Sequence, residues 1–321
     1  MNILIVHAHH EPQSFSSALA QQAEISLKTA GHTVVVSDLY AMGFDPVSDR
    51  RNFTSTSNAD YLKQQREEKH ATEVQGFAPD LEAEMQKLEA ADALIFNFPL
   101  WWFGMPAILK GWCDRVLAMG RVYGGSKLYE TGIGNSQKRG LILLTTGGGP
   151  SAYDGWGINP SLDAILTPIQ HGIFWFNGIL PLDPFVAWAP AHLTPEERSA
   201  YLSQLDQRLQ GMFTEAPIQL PKLADFPNFG SDTQQRYVVT VERKRQPDAD
   251  YDAKVAAEKA MLAQWQRRGI LLNLQMAAPE EPNWRGFLTI RAQDQGAVRS
   301  LLGQLPLADY LTFEVTTLSK V

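Results

Sequence analysis

The chain has 321 residues, 44% apolar and 20% charged, with a formal net charge of -7, enough for a main core and a second small domain. The charge is uneven: from Arg236 onward 12 Lys and Arg face 10 Asp and Glu, a net of +2 that leaves -9 for the rest, and neither part has the dense basic patch that a nucleic-acid surface requires. Cys113 is the single cysteine, excluding an internal disulfide and a zinc centre built from several thiolates, and no run reaches the ~18 apolar residues of a bilayer span.

Ile3 to His7 (ILIVH) reads as a strand starting almost at Met1 with no charged leader, so the expected location is cytoplasmic and no membrane insertion is expected. A helix follows, capped by Ser14 or Ser16 and ending near Gly31. Thr33 to Ser37 (TVVVS) is a second strand, apolar enough on both faces to need helices on both sides. Ala41 to Pro79 is a long connection with a charged helix expected over Ala59 to His70. Connections of that length usually cover a site or move. Asp80 to Ala91 is an amphipathic helix leading into Ala93 to Phe98 (ALIFNF), a third strand. Pro99 to Gly111 (PLWWFGMPAILKG) then carries three consecutive aromatics in a loop before a helix opened by Pro106.

Leu141 to Thr146 (LILLTT) is the fourth strand, followed by Gly147, Gly148 and Gly149. Asn159 to Gly178 reads as a helix, Pro184 to Trp188 as a fifth strand, and Thr194 to Met212 as a helix capped by Thr194 with Pro195 at its first position. The alternation gives an α/β doubly wound parallel sheet of five strands in the flavodoxin-like order 2-1-3-4-5. The loops Ala8 to Ser16, Pro99 to Phe103 and Gly147 to Tyr153 then share the carboxyl edge, where ligands of open α/β sheets bind. The first domain is expected over 1–217 and a Pro-rich linker over 218–235, with Pro221, Pro227 and Gly230. From 236 to 321 the order βαββαβ predicts a ferredoxin-like α+β domain.

Leu100, Trp101, Trp102 and Phe103 form a surface that water should not see unless something flat covers it, so a planar aromatic ligand is expected there. The glycine triplet lets backbone approach a ligand and present N–H donors, although a tight turn would use the same residues. Ser14 to Ser16 open a helix whose N-terminus attracts anions. The Thr-Gly-rich phosphate loop of small FMN flavodoxins is missing, which favours a dinucleotide. His7, His9 and His10 do not make a metal site, because His9 and His10 are adjacent and no carboxylates complete a set. A histidine donating to a pyrophosphate or ribose is the functional alternative to simple exposure. Tyr153 is a phenol donor at neutral pH and would suit the pyrimidine edge of a reduced flavin if one lies in the crevice, although a buried Tyr bonded to backbone would use the same residue. Trp156, Phe174, Trp175 and Phe176 read mainly as core, and Cys113 as packing.

The stretches LIVHAHHEPQSF, SDLYAMGFDP, KLEAADALIFNFPLWWFGMPAILKGWCDRV, LLTTGGG and PIQHGI closely resemble the NAD(P)H:quinone oxidoreductases of the DT-diaphorase type over Met1 to Pro217. The resemblance implies a flavodoxin-like homodimer, or a higher homo-oligomer, binding FAD at the dimer interface, with FMN the less favoured flavin. By matched position His9, Phe15 and Ser16 contact the FAD phosphates and ribose. Leu100, Trp101, Trp102, Phe103, Thr145, Thr146, Gly147, Gly148 and Tyr153 hold the isoalloxazine, and Arg198 reaches the adenosine. Trp102 and Phe103 floor the substrate site, with Tyr123 and Phe176 supplied by the partner subunit. Two positions depart from the pattern: Gly125 stands where a second aromatic is common, and Asn159 where a histidine pairs with the tyrosine as a proton relay. Asn donates a hydrogen bond but takes up no proton at neutral pH. Residues 236–321 resemble the muconolactone isomerases through AAEKAMLAQWQRRG and LLGQLPLADYLTFEV. Glu258 matches a family carboxylate, and its place beside Lys259 favours a solvated helix face.

These features together imply an FAD-dependent NAD(P)H:quinone oxidoreductase working by ping-pong hydride transfer to and from flavin N5. Tyr153 and the Gly147 and Gly148 amides stabilise the reduced ring. The alternatives are a reductase with lactone isomerase activity in its second domain and a flavin-binding regulatory subunit of a potassium-efflux transporter.

Overall fold

The computed structural model describes residues 1–135, 137–226, 235–278 and 281–318. Two compact units divide the chain, Met1–Gln219 and Leu220–Val321. Within the expected linker, 227–234, with Pro227 and Gly230, lie outside the described residues.

In the first unit β1 (Asn2–His7), β2 (Thr33–Asp38), β3 (Ala93–Pro99), β4 (Arg139–Thr146), β5 (Leu180–Pro181) and β6 (Phe185–Trp188) form one parallel sheet. Its order is β2-β1-β3-β4-β5, with β6 also on β4. The expected order is therefore present, but the fifth place is split. Pro181 and Pro184 have no N–H to give to a ladder, and the strand breaks between them.

Alternation within the buried strands loads both faces. Leu4, Val6, Leu94, Phe96 and Phe98 pack with α3 (Pro79–Ala90), α4 (Ala107–Val116) and α5 (Leu162–Ile169). Ile3, Ile5, Ile95, Leu141 and Leu143 pack with α1 (Phe15–Thr29) and α6 (Pro195–Gln210). A parallel sheet covered on both sides is what continuous apolar strands demand. Cys113 is buried, as read from its helix setting, and burial pushes its thiol far above the ordinary value.

Some expectations need correction. The charged helix, α2, begins later, at Gln64, and ends at Val74. Pro106 precedes α4 as its cap residue and is not inside it. The single helix expected over Asn159 to Gly178 is α5, then a wide turn at Gln170–Phe174 and a tight one at Trp175–Asn177 ending in Gly178 at φ 73°. Pro168 inside α5 removes one helical donor just before the winding changes.

The second unit has the order β7 (Gln235–Arg243), α7 (Tyr251–Arg267), β8 (Leu271–Met276), β9 (Arg285–Ala292), α8 (Gln295–Leu302) and β10 (Leu311–Leu318). Its sheet is antiparallel, β10-β7-β9-β8, which is the ferredoxin-like arrangement. Val239, Val241, Leu288 and Ile290 pack with Leu262, Trp265, Val298 and Leu302. Glu258 departs from its expected setting. It is 5% exposed, and its Oε2 accepts a hydrogen bond from Leu307 N at 2.8 Å. The residue faces inward, where it satisfies a backbone donor of the turn before β10.

Candidate active site

Three loops meet at the carboxyl edge of the first sheet. The loop after β1 is braced by His7, which is buried, with Nδ1 2.5 Å from Asn97 Oδ1 and Nε2 3.2 Å from Ser17 Oγ. Burial pushes the His7 pKa down and keeps the ring neutral. Ser14 caps α1 by accepting from Ser17 N at 3.1 Å. His9 accepts from Glu11 N through Nδ1 at 3.0 Å, which assigns its proton to Nε2. Its pKa lies below the ordinary value, chiefly through burial and then through His10 and His7. The ring is thus a neutral donor beside a helix N-terminus.

A cleft of about 690 Å³ opens there, bringing together His9, Phe15, Ser16, Thr145 and Arg198. Ser16 is 2% exposed, and its hydroxyl lies 2.8 Å from Thr145 Oγ1, so this pair joins the first loop to β4. Arg198, in the first turn of α6, donates to Pro190 O at 3.4 Å and leaves the remaining guanidinium edge to the cleft. Thr194 and Glu197 form the capping box that starts that helix.

The aromatic loop after β3 is a tight reversal. Trp101 N donates to Gly104 O at 3.1 Å and Gly104 N to Trp101 O at 2.9 Å. Trp102 and Phe103 between them have φ of 50° and 58°. Two successive left-handed residues define a type I′ turn, which normally takes Asn and Gly. Here large aromatics occupy both places, at about 1–2 kcal/mol each. Trp102 is 97% exposed, so no burial offsets that cost. Strain held without a packing reason points to a binding role. Leu100 N donates to Thr145 O at 2.8 Å and fixes the turn against β4.

Behind the turn, Thr146 Oγ1 donates to Gly148 O at 2.8 Å. A side-chain carbon built at Gly147 or Gly149 would meet nothing within 4 Å, whereas at Gly148 it would come within 3.1 Å of Ala152 Cβ and 3.3 Å of Tyr153 Cε2. Gly147 therefore faces open space, and Gly148 lets Tyr153 sit close. The Tyr153 ring packs edge-on to Phe103, 6.5 Å between centroids, and tilts against Trp188 at 5.8 Å. Asn159 donates from Nδ2 to Ala152 O at 2.9 Å and so pins the loop that carries Tyr153.

Tyr123 and Phe176 lie together in another cluster, with centroids 5.8 Å apart, and Tyr129 meets Phe176 at 5.4 Å. Gln65 Nε2 donates to Tyr123 Oη at 3.3 Å, and burial raises the phenol's pKa. Among the described residues neither Tyr123 nor Phe176 makes a ring contact with Trp102 or Phe103. Trp175 and Phe174 are core, whereas Trp156 is 94% exposed on the loop beyond Tyr153, contrary to its expected packing. Trp188 was missed; its signal was its place as the last residue of a strand on the ligand edge. Among the described residues no group of His, Cys, Asp and Glu is arranged to hold a metal, and no helix is long and apolar enough to cross a membrane.

A family model described as Flavodoxin-like fold matches residues 1–209, and one described as Muconolactone delta-isomerase matches 236–321. The chain is 40% identical over 217 residues to the human ribosyldihydronicotinamide dehydrogenase [quinone], covering 67% of this chain and 94% of that protein. It is 40% identical over 216 residues to the rat NAD(P)H dehydrogenase [quinone] 1, covering 67% and 78%. A solved structure from Klebsiella pneumoniae assigned as a quinone reductase is 36% identical with a TM-score of 0.66, covering 69% of this chain and 88% of that one.

Proposed function

The chain belongs to the flavodoxin-like NAD(P)H:quinone oxidoreductase family over residues 1–209 and carries a muconolactone isomerase domain at 236–321, and from that premise we propose an FAD-dependent NAD(P)H dehydrogenase (quinone) of ping-pong type. The observation that carries this reading is the strained Trp102–Phe103 turn, an exposed aromatic face joined to the glycine loop through the packing of Phe103 on Tyr153. A bound flavin supplies the redox chemistry, taking a hydride from NAD(P)H and passing it to a quinone.

The residues present fit that group. Trp102 and Phe103 offer a flat floor, and Gly147 leaves space that a side chain would fill. The cleft at the start of α1 supports FAD over FMN. There His9 Nε2–H, the N-terminal amides of α1 and the free edge of Arg198 suit a pyrophosphate and the adenosine beyond it. Tyr153 and the Gly147 and Gly148 amides would serve as the donors to the ring edge of a bound flavin, and fixed donors there favour negative charge as it develops. Asn159 holds the loop of Tyr153 through Ala152 O and takes up no proton, so the proton for the acceptor comes from solvent. A single binding face shared by donor and acceptor would make them take turns, hence the ping-pong order. Tyr123 and Phe176 are assigned to the site of a partner subunit in a homodimer. Glu258, on which an isomerase reading rests, is buried and bonded to Leu307 N, which weighs against a proton shuttle there.

The test is a visible spectrum of the purified protein, mass identification of the released flavin, and initial rates at varied NAD(P)H and quinone. FAD and parallel double-reciprocal lines are expected. Release of FMN, or intersecting lines, overturns the corresponding part.

A further inference from the structure

Outside the turn that floors the site lies a second group of rings. His10 is exposed and stacks on His9, with centroids 4.8 Å apart and planes inclined by 17°. The same ring lies 5.7 Å from Trp101 and meets Tyr40 edge-on at 5.9 Å. Tyr40 is 37% exposed. The ledge draws on three neighbouring strands, since Tyr40 follows β2, the histidines follow β1 and Trp101 follows β3.

The rings around His10 sit on hydrogen-bonded turns. Ala41 N donates to Asp38 Oδ1 at 3.1 Å and Met42 N to Asp38 O at 2.9 Å, which fixes the turn carrying Tyr40. Glu11 N holds His9, and Trp101 is bonded twice to Gly104. A pre-formed stack loses little freedom when a flat ligand is added. Sheet order gives its direction. The β3 turn stands between the β4 loop and the loops of β1 and β2. On its β4 side Tyr153 packs against both Phe103 and Trp188, and the open space at Gly147 is the part assigned to the flavin. A ligand held over Trp102 and longer than one ring has the β1–β2 side left to run along.

We infer that the Tyr40–His10 ledge is a stacking subsite for the adenine of the NAD(P)H hydride donor. The inference rests on the proposed dehydrogenase reading and deepens it. A purine is flat and aromatic, and stacking on protein rings needs no hydrogen-bond code, so rings without a dedicated base-edge partner suffice. The ledge includes Trp101, the residue next to the Trp102–Phe103 floor, so nicotinamide and adenine halves would bind on adjoining parts of one surface.

The experiment uses the full-length flavin-loaded protein and its Tyr40→Ala, His10→Ala and His10→Phe variants. Rates are measured with NADH, with NADPH and with reduced nicotinamide mononucleotide, which lacks adenine. Calorimetric titration with NAD⁺ and NADP⁺ reads binding without turnover. Both Ala variants are expected to raise KM for the preferred dinucleotide donor roughly tenfold, the scale of one lost base stack, and to weaken its oxidised form equally. KM for the mononucleotide is expected to move less than twofold, and His10→Phe to retain dinucleotide affinity. Equal shifts for both donors, or no shift, overturn the inference. Loss of bound flavin would give the ledge to the resident cofactor, and a raised KM only for a fused-ring quinone would give it to the acceptor; either overturns the donor assignment. If the wild-type protein oxidises neither donor, the dehydrogenase reading fails, and the titrations still decide the ledge: weaker NAD(P)⁺ binding in the Ala variants supports it, and unchanged binding overturns it.

Discussion

Ser16 Oγ and Thr145 Oγ1 lie 2.8 Å apart although 129 residues separate them in the chain. Both are nearly buried, and their contact ties the start of α1 to the end of β4. Either partner left alone keeps an unsatisfied hydroxyl, at about 1–3 kcal/mol. Ser16→Ala and Thr145→Val should each lower stability by about 1 kcal/mol and weaken FAD several-fold. The double variant should cost less than the sum, by about 0.5–1 kcal/mol. A denaturant double-mutant cycle with parallel flavin titrations measures both, and simple additivity would show that the two hydroxyls are not coupled.

Tyr153→Phe removes a donor and keeps the ring that packs on Phe103 and Trp188. Flavin reduction by NAD(P)H in stopped flow should slow about 10- to 100-fold, below the largest losses seen for a fixed oxyanion donor, while bound FAD is unchanged. Asn159→Ala should give a smaller slowing, since Asn159 acts on Tyr153 only through Ala152 O. An unaltered rate in Tyr153→Phe would remove the phenol from the mechanism.

Trp102 offers the opposite contrast between stability and activity. At 97% exposure the side chain contributes almost no burial, and φ of 50° strains any residue with a side chain. Trp102→Gly should leave thermal stability unchanged or raise it by up to about 1 kcal/mol. Flavin affinity and donor KM should both suffer. A clear drop in melting temperature would mean that the ring packs in solution.

The second unit should show a pH dependence that traces to Glu258. Burial raises its pKa in the folded state, and the hydrogen bond from Leu307 N only partly opposes this. The folded form therefore holds the proton more tightly than the unfolded chain, so stability falls as pH rises through the range above the usual carboxylate value. Glu258→Gln keeps an oxygen for Leu307 N and carries no charge. It should flatten that slope and equal or exceed the parent at neutral pH. Glu258→Ala should lose about 2–3 kcal/mol by stranding the Leu307 donor and opening a cavity. Urea melts of the full chain from pH 4.5 to 8 compare the three, and identical slopes for parent and Gln would discount the ionisation.

Apolar alternation and turn chemistry determined the strands, their order and the shared carboxyl edge. ILIVH, ALIFNF and LILLTT can be buried on both faces in few other ways, and a flavodoxin-like order puts His9, Trp102 and Gly147 on one side. Caps at Ser14 and Thr194 were legible because they depend on neighbours within three residues. Long-range geometry was not. The inward turn of Glu258 depends on a backbone donor 49 residues away, and the split fifth strand on two prolines meeting a ladder. The left-handed pair at Trp102 and Phe103 runs against the conformational preference of both residues. Sequence therefore announced an aromatic loop in need of a flat ligand. Only the folded chain decided that the loop is strained and exposed, and that a second row of rings at His10 and Tyr40 extends it, because strain and adjacency belong to distances between strands.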